Sequence, residues 1–290
     1  MKIKCSKDSI TINDTLLIGF SEMCSVVQAL SNDVIYVAGS IVEGHLDEYA
    51  TGMGNRNSDL DVFIIRDHIE FLNTTADYYG KNKRTFFVND FPIGLDVEVI
   101  DRLYFEKILS AINTARIEEN QRIGTVFGEE DEVGNIQEIN SLLNRFLHSV
   151  GIFNLTEYHQ LKEQCHFDNF LALYKAYIIA SLDHACQDVL GNIDANQLDA
   201  ALLCARKVVN KTMVIVLADN NIFVDRERWV FLKFNNFYNR TGHYSELYAV
   251  YLMLNRSDLS NNCICTEAIT KSLQICRSIV EKILMKELLL

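Results

Sequence analysis

The chain of 290 residues is 49% hydrophobic and 23% charged, with one proline and one tryptophan, which excludes a disordered chain and implies a sizeable core. Its net charge of −12, with no basic run longer than "NKR" at 82–84, leaves no broad cationic footprint and argues against a long nucleic acid as partner. Eight cysteines show neither C-x-x-C spacing nor zinc-type pairing with histidine, and no signal segment precedes them, so they read as mostly buried, reduced thiols of a cytoplasmic protein. The longest apolar runs, "MVIVLA" and "AYIIASL", are too short for a membrane span.

Apolar residues at helical spacing (Leu16, Leu17, Phe20, Met23, Val26, Val27, Leu30) predict a helix over 15–30, capped by Asn13 or Asp14. "DVIYVAGS" follows as a strand, and a loop from 41 to 57 leads to "DLDVFII". There apolar residues fill both alternation phases, as in a strand covered on both faces. "RTFFVND" and "GLDVEVID" predict two more strands, joined by the turn-forming "FPIG". Beyond 102, helical-period segments dominate, at 102–119, 136–150, 168–190, 195–219, 245–255 and 266–288. This segregation predicts an α+β chain of two domains, 1–125 and 126–290, with the boundary in the region 120–135 that holds the acidic stretch "FGEEDEVGN".

The chemistry concentrates in the first domain. Alternation puts Asp59 and Asp61 on one face of their strand, several ångströms apart, where two like charges call for a cation between them. Mg²⁺ takes oxygen ligands in this manner, together with waters and substrate phosphates. Asp96 and Glu98 form a second such pair on a nearby strand. Gly39 and Ser40 lie at a strand end, where glycine lets backbone N–H groups approach an anion and the hydroxyl adds a donor. Triphosphate held there would meet metal held by the aspartates, and the reaction implied is transfer of a nucleoside monophosphate with release of pyrophosphate.

The Gly-Ser turn, the loop, "SDLDVFI" and the later strand carboxylate together resemble the polymerase-β-type nucleotidyltransferase superfamily. The resemblance covers roughly residues 30–101, and its loop between Ser40 and Asp59 is longer than the usual compact spacing. It implies a small mixed β-sheet catalytic domain flanked by helices and followed by a helical bundle. Asp59 and Asp61 are implied as metal ligands, with Asp96 as the third by strand phase and Glu98 as its rival. Gly39, Ser40 and Ser58 are implied for the nucleotide. Mg²⁺ or Mn²⁺ and an NTP co-substrate are implied as well. The helical half resembles the C-terminal bundle of kanamycin- or lincosamide-type antibiotic nucleotidyltransferases, around "ALLCARKVVNKTMVIVLADNNIFVDRERWVFLKF". Such a lobe would bind the acceptor, a small molecule or peptide, and Lys175, Lys207 and Lys211 are its candidate nucleotide contacts. Lys207 and Lys211 share a helix face, for which solvation is the rival reading. Modification of a protein or tRNA, and nucleotide or partner binding without catalysis, are the competing functions. The chain is compatible with an oligomer.

Overall fold

The computed structural model describes residues 3–55, 57–69, 76–116, 135–257, 259 and 261–287. Among these the chain divides into two compact units, one reaching Phe170 and the other starting at Leu171. The architecture is α+β. The expected division at 125 falls outside the described residues, and the observed one comes later because a strand and three helical segments beyond 135 fold with the first unit.

The first unit begins with β1 (Ile3–Cys5), β2 (Ser9–Ile12) and β3 (Leu16–Gly19), an antiparallel three-stranded sheet, followed by α1 (Phe20–Val26). The helix expected over 15–30 is thus a strand for its first turn. Leu16 to Gly19 pair in register with Ile12 to Ser9, and tertiary pairing overrides the local helical spacing. The second sheet contains β4 (Val34–Ala38), β5 (Leu60–Arg66), β6 (Tyr78–Tyr79), β7 (Lys83–Val88), β8 (Leu95–Asp101) and β9 (Val150–Phe153), ordered β6-β7-β8-β5-β4-β9. β5 and β8 run parallel and the other neighbours antiparallel. α2 (Gly39–Leu46) and a 3₁₀ turn (Glu48–Ala50) occupy much of the segment expected as loop. α3 (Arg102–Thr114), α4 (Ile136–Leu147) and α5 (Leu155–Gln164) complete the unit, and α6 (Phe167–Asp194) begins at its end.

Strand alternation gives this sheet two unlike faces. One presents Ile35, Val37, Val62, Ile64, Val97 and Val99 to a single core with Ile3, Ile10, Ile18 and Met23 of the small sheet and α1. The other carries three rows in register across the strands. Val34, Ile65, Ile100 and Lys83 form the first row, Tyr36, Phe63, Glu98 and Thr85 the second, and Ala38, Asp61, Asp96 and Phe87 the third. Tyr36 stacks on Phe63 at 5.1 Å, and Phe146 of α4 packs on Tyr36 and, edge-on, on Phe105 of α3. Helices therefore cover this face at its aromatic row and leave Asp61 and Asp96 of the third row only half-buried. β5 is apolar in both phases because both faces are covered.

Where β5 ends, Arg66 forms a buried fork with Asp33. Nε donates to Oδ1 at 2.9 Å and Nη2 to Oδ2 at 2.6 Å, and a further bond runs to the Gln28 carbonyl at 3.0 Å. Two charges so buried are tolerated because bidentate geometry satisfies both.

The second unit continues α6 and adds α7 (Leu198–Asp219), α8 (Glu227–Thr241), α9 (Ser245–Arg256) and α10 (Asn262–Glu287). The helical bundle expected there is present, with α8 added around Trp229. No helix among the described residues is long and apolar enough to cross a membrane. All eight cysteines are unbridged. Cys165, Cys186, Cys265 and Cys276 are buried, while Cys5 and Cys263 are exposed, so burial covers only half the expected set.

Candidate active site

The mouth of the β4–β5–β8 strands gathers most of the expected residues. β4 ends at Ala38, and Gly39 turns the chain into α2 with φ +80°, a left-handed conformation suited to glycine. The reason for that glycine is Asp61, whose carboxylate lies directly against it. A Cβ on Gly39 would stand 1.5 Å from Asp61 Oδ2 and 2.4 Å from Cγ. The Asp61 carboxylate therefore meets the first residue of a helix that begins without a side-chain cap. Free N–H groups and the positive end of the helix dipole favour negative charge there. Ser40, half-buried, is the second residue of this helix.

Asp96 is the register neighbour of Asp61 on parallel β8, so both project from the same face. Burial, then the Glu98 charge, raises the Asp96 pKa; Arg145 opposes, Asp59 adds to the rise, and Lys83 opposes. Four charged neighbours acting on one carboxyl place Asp59, Asp96, Glu98, Lys83 and Arg145 in a single electrostatic cluster. Asp59 precedes β5 and is exposed, with its carboxylate over Gly94, where an added Cβ would meet Oδ1 at 2.5 Å. The Leu60 N–H donates to the Gly94 carbonyl at 2.9 Å, which fixes this junction.

Asp96 and Glu98, alternatives in the sequence, occupy different surroundings. Glu98 pairs with Lys83, Nζ to Oε2 at 3.5 Å, whereas Asp96 stands in the Asp61 row. Ser58 closes a turn, its Oγ accepting from the Asn55 N–H at 3.0 Å. The loop before it folds back on α2, with Gly54 against the backbone of Ser40 and Ile41 and Gly44 against the Met53 carbonyl. Among the described residues no three His, Cys, Asp or Glu side chains converge closely enough to form an all-protein metal cage.

The three expected lysines belong to the second unit. Lys175 on α6 pairs with Asp219 at 3.0 Å. Lys211 on α7 donates to Ser181 Oγ at 2.7 Å, and burial, with help from Lys207, lowers its pKa against the pull of Glu227. Lys207 is exposed, in keeping with a solvated helix face.

Sequence reasoning passed over Phe87 and Arg145. Phe87 is the other register neighbour of Asp96 and is 54% exposed. Strand phase alone signals it, since Phe86 and Phe87 must point to opposite faces. Arg145, with its guanidinium 5.6 Å from the Phe63 ring centre, carries no signal because α4 brings it to the sheet from distant sequence.

No protein-family model and no curated protein sequence matches the chain. Among solved structures, the chain is similar to the crystal structure of a nucleotidyltransferase-like protein from Exiguobacterium sibiricum. The identity is 11%, with 92% of this chain and 76% of that chain covered and a TM-score of 0.48.

Proposed function

We propose that the chain is a nucleotidyltransferase that moves a nucleoside monophosphate from an NTP to a hydroxyl group, releasing pyrophosphate. The observation that carries this reading is the seating of the Asp61 carboxylate against Gly39, with Asp96 beside it in register. That arrangement sets an anion-binding helix start and a carboxylate pair side by side.

Mg²⁺ or Mn²⁺ fits these residues. Magnesium sites commonly use one or two protein carboxylates and complete their shell with water and substrate phosphates, so Asp61 and Asp96 suffice without a full cage. The raised Asp96 pKa marks negative charge that a cation would relieve. Asp59 adds negative charge from the strand entrance. The metal supplies charge neutralisation at the phosphoryl oxygens. The N–H groups at the start of α2, with the Ser40 hydroxyl, would hold the triphosphate.

The test is calorimetric titration of ATP, GTP, CTP and UTP with and without Mg²⁺ into wild type and Asp61→Asn. Binding that needs both metal and Asp61 supports the reading, and binding that survives in Asp61→Asn without metal removes it. Nucleotide binding without turnover is the second reading, favoured by the lack of a third convergent acid among the described residues. It requires nucleotide binding with no pyrophosphate release.

A further inference from the structure

Beside the acid row, a cavity of about 140 Å³ opens among β7, β8, α3 and α4. Its polar lining is Lys83, Glu98, Tyr104, Glu138, Ser141 and Arg145, and the rest is aliphatic. Two cations thus face two carboxylates, and two hydroxyls stand with them. We propose that this cavity is the acceptor site and that it takes a free hydroxy-amino acid of the size of serine or threonine. This rests on the nucleotidyl-transfer reading of the acid row.

Charge selects the class. A polyanion entering the cavity meets Glu98 and Glu138, and a polycation meets Lys83 and Arg145. A zwitterion satisfies both signs, its carboxylate toward the cations and its ammonium toward Glu138. A recess that offers both signs at once favours a ligand carrying both charges over analogues that lack one. Size narrows the class further. A cavity of about 150 Å³ accommodates a benzene ring, so this one, at about 140 Å³, has room for serine or threonine. A serine within a polypeptide lacks both charges, which assigns the site to the free amino acid.

Position supports the same role. Glu98 is two residues from Asp96 on the same strand face. The cavity's sheet residues, Glu98, Ile100 and Lys83, stand in the two rows that follow the acid row along β8 and β7, so the cavity adjoins the carboxylates along the strands. The amino-acid hydroxyl oxygen bonds to the α-phosphorus, and the bond from that phosphorus to the bridging oxygen breaks. Its electron pair leaves with pyrophosphate, and the hydroxyl proton passes to the Glu98 carboxylate.

The experiment has two arms. Direct binding of L-serine is followed by NMR on the full chain without nucleotide, beside ethanolamine (cation only), glycerate (anion only) and N-acetylserine amide (neither charge). Pyrophosphate release is then measured with MgATP or the preferred NTP and the same four compounds. The expected result is L-serine binding at least tenfold tighter than each analogue, with that preference over ethanolamine abolished in Lys83→Ala or Arg145→Met. Equal binding of all four, or none by L-serine, overturns the acceptor assignment. If Mg²⁺-dependent NTP binding through Asp61 persists in that case, the nucleotidyl-transfer reading stands alone. If L-serine binds while no NTP does, that reading fails and the cavity is an amino-acid site of another kind.

Discussion

Gly39→Ala is the sharpest perturbation of the site, because the structure fixes both its cost and its origin. At φ +80° an alanine carries left-handed strain of about 1–2 kcal/mol. Its Cβ would also stand 1.5 Å from Asp61 Oδ2, so the carboxylate or the start of α2 must move, which by analogy with overpacking adds about 1–3 kcal/mol. The expected loss is therefore about 2–5 kcal/mol in the first unit, together with loss of metal-dependent NTP binding. Asp61→Ala removes the atoms at 1.5 and 2.4 Å and leaves only Cβ, at 2.9 Å. In that background Gly39→Ala keeps the φ strain and a 2.9 Å Cβ contact that still forces a small shift, but loses the carboxylate clash, so it should cost less, and a double-mutant cycle reads the difference. Trp229, the only tryptophan, lies in the second unit, so its fluorescence is the wrong probe. Hydrogen exchange at the Val37 and Val62 amides in rising urea reports β4 and β5 directly. Equal cost in the two backgrounds, or a cost under about 1 kcal/mol, would refute the close approach of the carboxylate.

Three other substitutions or treatments separate structural from functional charge. Arg66→Ala leaves the Asp33 carboxylate buried and unpaired and should destabilise the protein by about 3–5 kcal/mol in urea denaturation, without touching the acid row. For Asp96, the unfolded carboxyl ionises near its ordinary 3.8 while the folded one, raised by burial and Glu98, ionises later. The wild type therefore loses stability as pH climbs from that value through the raised one. Asp96→Asn lacks this loss and should be the more stable protein at pH 7 in EDTA; a less stable variant would mark Asp96 as structural. Cys165 and Cys276, pushed by burial to about 12, should resist a thiol reagent at pH 8 until denaturant is added. Cys263, which is exposed, should react at once, and simultaneous labelling of all three would contradict the described packing.

Much of the first unit was legible because its signals are local. The two-phase apolar run after Asp61 names a strand covered twice, and the alternation of "LDVEVI" names its neighbour. Register is not local. That Asp96 rather than Glu98 stands beside Asp61 follows from the parallel pairing of β5 and β8, and Glu98 is instead matched to Phe63. The strand at Leu16–Gly19 escaped for a related reason: its apolar spacing suits a helix, and only β2 makes it a strand. β9 was hidden similarly, since four residues ending in Phe153 gain their identity from β4.

The lysines show a different limit, in which a true local signal leaves its cause open. Lys175 interrupts an apolar helical stretch, and such an interruption marks a buried or half-buried cation without saying what it faces. Its partner is Asp219, a residue 44 positions away on another helix. Lys211 likewise finds Ser181. Arg145 and Lys83 also have neighbours, Glu98 in the case of Lys83, but they line an open cavity next to the acid row on the same sheet, and that access makes them candidates for ligand contact. Reversing Lys175 to glutamate should accordingly destabilise the second unit through repulsion with Asp219 while leaving metal-dependent NTP binding by the first unit within about twofold. Calorimetry on that variant at a temperature where both units stay folded decides the point, since a tenfold loss of nucleotide affinity would return Lys175 to the site.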